Sequence, residues 1–145
     1  DKLETIAEAL KILGRTRALV VNGAGYMDEA SLAGENHLVL LEDGKITPFT
    51  LHPEEVGLKT YSNEEIRGGD AKRNAEILLS VLRNEQSPYL DTVLLNAGLG
   101  LCANGKTTSI KEGIEMARES IASGAALNRL NTLVEYSKSV TSEAI

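Results

Sequence analysis

Hydrophobic residues recur along the chain with two spacings, one typical of helices and one typical of strands. Residues 2–13 place apolar side chains at helical intervals, and Gly14 follows where a helix is expected to end. Residues 18–21 form a short apolar run, which is typical of a buried strand in a parallel sheet. The order helix, glycine, strand indicates an α/β fold.

A β-hairpin is predicted after this first unit. Two strand-like runs, 37–42 and 45–51, flank Asp43-Gly44, a pair that favours tight turns between antiparallel strands. Pro48 cannot donate a backbone hydrogen bond to a neighbouring strand, so the second run is predicted to lie at a sheet edge. The predicted fold class is therefore α/β, with part of a mostly parallel sheet flanked by helices and one β-hairpin.

The second half of the chain is predicted to be mainly helical. Apolar and charged residues of 71–84 fall on opposite faces of a helix, and Ser87-Pro88 begins a new element. Residues 91–103 are hydrophobic nearly throughout, so we expect them to be buried. Their length and alanines favour a helix, and a strand over 93–95 stays open.

The last part of the chain contains two further amphipathic patterns. Ser109 and Glu112 have the spacing of a capping box at the start of one helix, and 127–134 predict another. The polar tail, 137–145, is expected to fray. No linker or repeat divides the sequence, so residues 1–145 are predicted to form a single domain.

Composition narrows the class of protein. The chain has 145 residues, of which 42% are hydrophobic and 25% charged, as in a globular domain. Its formal charge of −6 and its scattered lysines and arginines argue against a nucleic-acid partner. No apolar run approaches the ~20 residues of a membrane span. The one cysteine, Cys102, excludes an internal disulfide and fits a reducing cytoplasm.

Asp28 and Glu29 are the candidate site for chemistry. They follow the first predicted strand and a turn containing Gly23 and Gly25, and ligands of α/β folds commonly bind just beyond strand ends. Taken alone, two adjacent acids favour surface charge or the first turn of a helix. The sharper interpretation is a magnesium site, because Mg²⁺ needs only one or two carboxylates beside phosphates and water.

Two glycine motifs suggest phosphate binding. Gly68-Gly69 could cradle a phosphate before the helix 71–84, but we favour Asp70 as a helix cap and the glycines as its turn. A dinucleotide site after Gly23 is rejected, because Asp28 stands where the third glycine of G-x-G-x-x-G is required.

Four stretches, read together, resemble the C-terminal part of anthranilate phosphoribosyltransferases. The stretches are ALVVNGAGYMDEASLAG, LEDGKITPFTLHPEEVGL, GGDAKRNAEILLSVL and DTVLLNAGLGLCANGKTTSIKEGIEMARESIASGAAL, in the family's order and spacing. They cover the chain from about Leu3 to Val134. The resemblance implies a nucleoside phosphorylase/phosphoribosyltransferase-like C-terminal domain, a fold that pyrimidine nucleoside phosphorylases share more distantly.

The same resemblance implies a step of tryptophan biosynthesis. Phosphoribose would pass from phosphoribosyl pyrophosphate to the amine of anthranilate, with pyrophosphate as the leaving group. In that family an Asp-Glu pair binds Mg²⁺ together with the pyrophosphate, and it matches Asp28 and Glu29. The resemblance assigns no residue of this chain a direct catalytic role.

Differences from the family pattern limit what the chain is expected to do alone. Asn22 stands where the family usually has histidine or a similar residue, and Gly25-Tyr26-Met27 stands where it has a pattern such as Asp-Gly-Leu. These changes leave the acid pair intact. The family's GTGGD and Lys-His-Gly-Asn segments lie upstream of everything present here. Because the chain also begins at Asp1, we expect a fragment or processed product that is inactive without its N-terminal portion or a chain carrying it.

Two alternatives to this function stay open. One is a non-catalytic α/β module that binds a partner chain through its apolar helices, with Asp28 and Glu29 as surface charge. The other is a homologue of the same fold with a different acceptor. The family commonly dimerises through a small helical domain, so a homodimer is possible.

Overall fold

The computed structural model describes residues 2–142 as a small sheet combined with five helices. The helices and strands, in chain order, are α1 (Leu3–Ile12), β1 (Arg17–Asn22), β2 (Asn36–Glu42), β3 (Lys45–Leu51), α2 (Ala71–Leu82), α3 (Pro88–Ala103), α4 (Ile110–Ala122) and α5 (Ala125–Ser142). Two 3₁₀ turns, Pro53–Val56 and Asn63–Ile66, lie between β3 and α2.

The sheet is antiparallel, and the prediction of a mostly parallel sheet is wrong for the residues described. Its strand order is β1-β2-β3, with Arg17 opposite Glu42 and Asn36 opposite Leu51. A parallel neighbour requires a crossover, usually through a helix, whereas residues 23–35 contain no helix and return the chain directly alongside β1. The apolar run in β1 indicated burial but carried no information about the direction of its neighbour.

The predicted hairpin is confirmed. Asp43 and Gly44 connect β2 to β3 with φ angles of 47° and 79°, the left-handed backbone that a two-residue turn of this kind requires. Pro48 belongs to β3 and lies opposite Val39 of β2. Strand β3 is at an edge of the described sheet, as expected. Among the described residues, β1 forms the other edge.

Helix α3 occupies the centre of the core. Residues 91–103, for which the sequence favours a helix and leaves a strand over 93–95 open, are helical. The helix begins at Pro88, and Leu94 and Leu95 are completely buried. Two glycines allow α3 and α4 to cross closely: a Cβ on Gly98 would lie 2.7 Å from Ile114 Cγ1, and one on Gly113 would lie 2.5 Å from the Gly98 carbonyl oxygen. The core at this crossing is therefore closed by backbone as well as by side chains.

Side-chain caps begin the later helices at the predicted places. The carboxylate of Asp70 accepts a hydrogen bond from the Arg73 N–H at 2.8 Å, and Ser87 and Ser109 cap α3 and α4 in the same way.

Helix α5 continues through Ser142, while residues 143–145 lie outside the described part of the chain. Fraying of the tail from Ser137 concerns its motion and stays a prediction. In the described part of the chain, no helix combines the length and apolar character that crossing a membrane requires.

Candidate functional site

Asp28 and Glu29 lie in the loop that joins β1 to β2. We call residues 23–35 the acidic loop. Its first turn is closed by reciprocal backbone hydrogen bonds, from the Gly23 N–H to the Met27 carbonyl at 2.9 Å and from the Met27 N–H to the Gly23 carbonyl at 3.2 Å. Gly25 and Tyr26 adopt φ angles of 79° and 61° within this turn. The turn reverses the chain at the end of β1, so the two acids lie directly beyond that strand.

Both acids line a cleft between α1, β1 and α3. The cleft has a volume of about 420 Å³, and the side chains of Asp28 and Glu29 are exposed along it. Its remaining lining is apolar apart from one amide, that of Asn96: Ile6, Leu10, Leu19, Val20, Val21, Leu99, Gly100 and Ala103. The two carboxylates therefore face an accessible space whose other walls carry little charge or polarity.

Asn96, in the middle of α3, holds the backbone next to Glu29. Its Oδ1 accepts a hydrogen bond from the Ala30 N–H at 3.0 Å, and its Nδ2 donates to the Ala30 carbonyl at 2.9 Å. The same Nδ2 also donates to the Thr92 carbonyl at 3.0 Å, which anchors the amide to its own helix. One side chain thus satisfies both backbone groups of the residue that follows the acid pair.

A second asparagine, Asn36, braces the loop from the start of β2. It is completely buried, and its Oδ1 accepts hydrogen bonds from the N–H groups of Ser31 and Ala24 at 2.7 Å and 3.3 Å. Its Nδ2 donates to three carbonyls, those of Ser31, Gly34 and Leu51, at 3.0–3.1 Å. Asn36 therefore joins both ends of the acidic loop to β3.

Asn63 and Gly23 complete the support. The Asn63 Nδ2 donates to the Ala24 carbonyl at 3.1 Å, and its Oδ1 accepts from the Ser31 hydroxyl at 2.6 Å. A Cβ on Gly23 would lie 2.0 Å from the Glu29 carbonyl oxygen, so only glycine allows this approach. The backbone of Glu29 is packed against Gly23 on one side, and Asn96 holds the next residue.

The three bracing asparagines were not predicted as site residues. Asn96 carried a signal, because it is the one amide within the hydrophobic stretch 93–103. Asn36 and Asn63 carried no comparable signal, since each stands among ordinary polar neighbours in the sequence. Their roles depend on contacts with residues of other elements, which no local pattern reveals.

The second predicted phosphate motif is used for local structure. Asn74 accepts a hydrogen bond from the Gly69 N–H at 2.8 Å and donates to the Gly69 carbonyl at 3.0 Å. Together with the Asp70 cap, these bonds use groups that a phosphate would need. Gly68, Gly69 and Asp70 are also absent from the lining of the cleft that contains the acids. The interpretation of Asp70 as a helix cap is therefore confirmed.

The acid pair fits a magnesium ion better than a metal bound by protein alone. No group of three or more His, Cys, Asp and Glu side chains able to hold a metal occurs among residues 2–142. Structural zinc sites need such a group, usually with four protein ligands. Mg²⁺ keeps several water molecules and is commonly held by one or two carboxylates with substrate phosphates. Two exposed carboxylates beside a cleft match that requirement.

Comparison with known proteins places almost the whole chain in one family. The profile described as "Glycosyl transferase family, a/b domain" matches residues 1–127. The anthranilate phosphoribosyltransferase of Oceanobacillus iheyensis is 55% identical over 97% of this chain and 42% of its own length. That of Listeria innocua is 59% identical over 97% of this chain and 41% of its own length. The chain thus spans about two-fifths of these curated relatives.

Solved structures with the same name have the same arrangement. The anthranilate phosphoribosyltransferase of Thermus thermophilus superposes with a TM-score of 0.84 at 43% identity, covering 93% of this chain and 40% of that one. The Saccharomyces cerevisiae enzyme in complex with PRPP and Mg also has a TM-score of 0.84, at 27% identity, covering 94% of this chain and 40% of that one.

Proposed function

The chain belongs to the glycosyl transferase family whose a/b domain it matches over residues 1–127, and from this premise we propose that it is part of an anthranilate phosphoribosyltransferase. The reaction transfers phosphoribose from phosphoribosyl pyrophosphate to the amine of anthranilate and releases pyrophosphate. The observation that carries the proposal is the position of Asp28 and Glu29, adjacent acids on a braced loop that both line one accessible cleft. Similarity to relatives of that name supports the choice of reaction.

Asp28 and Glu29 would together hold a Mg²⁺ ion that carries the diphosphate of the donor. When bound, such an ion stabilises the negative charge that gathers on the departing pyrophosphate. The structure of the yeast enzyme in complex with PRPP and Mg supports this choice of cation. In this chain the acidic loop places the two carboxylates at the cleft, and Leu99 and its neighbours form an apolar wall on one side of it.

The described residues include no base beside the acid pair other than the carboxylates themselves. The remaining polar side chain in the cleft lining is that of Asn96, an amide that cannot take up a proton at neutral pH. Attack by an aromatic amine on a cation-like sugar carbon requires positioning and charge stabilisation more than proton removal. We therefore assign this chain the role of binding and orienting the leaving group, and no proton-transfer step.

The rest of the active site lies outside this chain in our proposal. The chain spans about two-fifths of its curated relatives, 42% and 41% for the two compared. It holds one metal-binding part of a divided site, so the chain by itself is expected to be inactive. Mixing it with a chain that carries the remaining segments should restore activity, which is measured as the loss of anthranilate fluorescence. Full activity from this chain alone would contradict the proposed division.

The decisive test replaces both acids in the product of the complete gene. Asp28→Asn with Glu29→Gln should raise the Mg²⁺ concentration for half-maximal activity by more than about tenfold, because both anionic ligands are lost. The matched control is Glu54→Gln with Glu55→Gln, an adjacent exposed pair that removes the same charge away from the cleft. An unchanged magnesium titration in the first variant would remove Asp28 and Glu29 from the metal site. It would favour a non-catalytic module instead.

A further inference from the structure

We propose that Asn96 is a positioning residue for the metal site, acting through the backbone that carries Glu29. This inference rests on the proposed function, because it concerns how the acid pair is held for Mg²⁺ and a diphosphate. Asn96 lies on α3, 66 residues from Ala30 in sequence, yet it binds both backbone polar groups of that residue. The side chain also lines the same cleft as the two acids.

The clamp acts on the peptide group that leaves Glu29. The Ala30 N–H, which donates to Asn96 at 3.0 Å, belongs to the same peptide plane as the Glu29 carbonyl. On its other side that carbonyl oxygen lies 2.0 Å from the position that a Gly23 Cβ would occupy. The plane is therefore fixed between α3 and the turn after β1. Displacement of this plane would move the Cα of Glu29, and with it the side chain, relative to Asp28.

The need for such fixing follows from the exposure of the acids. The side chains of Asp28 and Glu29 are exposed, so packing does not set their directions, whereas Ala30 is only 2% exposed. Two carboxylates bind one ion well only if they converge, and outer groups that orient metal ligands typically change metal affinity by roughly 10–100-fold when they are removed. Asn96 is placed to supply that orientation from a rigid helix.

A geometrically matched control exists elsewhere in the chain. Asn74 makes the same pair of bonds, accepting from the Gly69 N–H at 2.8 Å and donating to the Gly69 carbonyl at 3.0 Å. Neither Asn74 nor Gly69 lines the cleft that contains Asp28 and Glu29. Asn74→Ala therefore removes an equivalent amide clamp without touching the acidic loop.

The experiment compares Asn96→Ala and Asn74→Ala in the product of the complete gene. Calorimetry with Mg²⁺ and inorganic pyrophosphate measures binding, and activity at graded Mg²⁺ gives the half-saturating concentration. Asn96→Ala should weaken Mg²⁺ binding about tenfold, while Asn74→Ala should change it less than about twofold. Hydrogen exchange of the Ala30 amide should accelerate in the first variant only. Asn96→Ser, whose hydroxyl can bond to the Thr92 carbonyl within the helix, is used if Asn96→Ala does not fold.

A triple variant separates this inference from the proposed function. In the Asp28→Asn, Glu29→Gln background, Asn96→Ala should cause no further loss of Mg²⁺ binding. Equal additional loss in that background would show a general structural role and overturn the inference, as would an unchanged Mg²⁺ affinity in Asn96→Ala with the acids intact. If the acid substitutions alone do not change Mg²⁺ binding, the proposed function fails. This result is obtained with Asn96 intact, so it is distinct from a failure of the inference about Asn96.

Discussion

Two glycines of α3, only two positions apart, should respond in opposite directions to the same substitution. A Cβ at Gly98 would lie 2.7 Å from Ile114 Cγ1 and 2.8 Å from the Ile114 backbone nitrogen. A Cβ at Gly100 would meet no atom within 4 Å beyond its chain neighbours and the backbone of its own helix. Alanine at Gly98 must therefore push α4 away, whereas alanine at Gly100 enters open space.

The magnitudes follow from two opposing contributions. Replacing glycine by alanine within a helix stabilises it by about 1 kcal/mol, because the unfolded chain loses conformational freedom. Overpacking a closed core costs about 1–3 kcal/mol, and the Gly98 site lies at the upper end, since a backbone atom cannot rotate away. Gly98→Ala should thus lower the free energy of unfolding by about 2 kcal/mol. Gly100→Ala should raise it by about 1 kcal/mol.

Urea denaturation followed by far-ultraviolet circular dichroism measures both changes. The midpoint should fall for Gly98→Ala and rise for Gly100→Ala with the slope unchanged, because neither substitution alters the surface exposed on unfolding. A Gly98→Ala protein as stable as the wild type would refute the close crossing of α3 and α4. Destabilisation by Gly100→Ala would show that its side of α3 is not open.

Two further predictions concern the acidic loop and the start of α4. Asn36→Ala should lower the free energy of unfolding by about 3 kcal/mol or more in urea titrations, because it leaves the buried N–H of Ser31 and the Leu51 carbonyl without this partner; a loss below about 1 kcal/mol would contradict the bracing role. Hydrogen bonds from the Thr108 backbone N–H and hydroxyl hold the pKa of Glu112 below its usual value. Its ionised form therefore stabilises the fold above the ordinary glutamate pKa, and this contribution disappears as the pH falls through the lowered pKa. Thr108→Val should raise the Glu112 pKa in a carboxyl NMR titration, and an unchanged or lower value would contradict this account.

Features determined by neighbouring residues were predictable from the sequence. The hairpin at Asp43-Gly44 depends on two residues that tolerate left-handed backbone, and the start of α2 depends on the reach of Asp70 to a backbone N–H three residues later. In both cases the stabilising contact is local, so the pattern and the structure carry the same information. Length and composition favour a helix over 91–103 but leave a strand over 93–95 open, because this segment is stabilised by core packing.

Features determined by distant contacts were not predictable in the same way. The apolar run of β1 has the same composition whether its neighbour is parallel or antiparallel, and the direction was decided by a connection that returns without a helix. The position of Asp28 and Glu29 beyond a strand could be anticipated. The contacts that hold them could not, because Asn63 and Asn96 reach the loop from 32 to 66 residues away, even though Asn96 stands out as the one amide of its hydrophobic stretch.

The supports of the acidic loop come from the start of β2, a 3₁₀ turn and the middle of α3. Asn36 follows the acid pair closely in the chain, whereas Asn63 and Asn96 are synthesised only after several further elements. A nascent chain that has not yet reached Asn96 contains both carboxylates but lacks the last of these supports. If the acid pair binds Mg²⁺ as proposed, full affinity for the ion should therefore appear only after α3 has packed against the acidic loop.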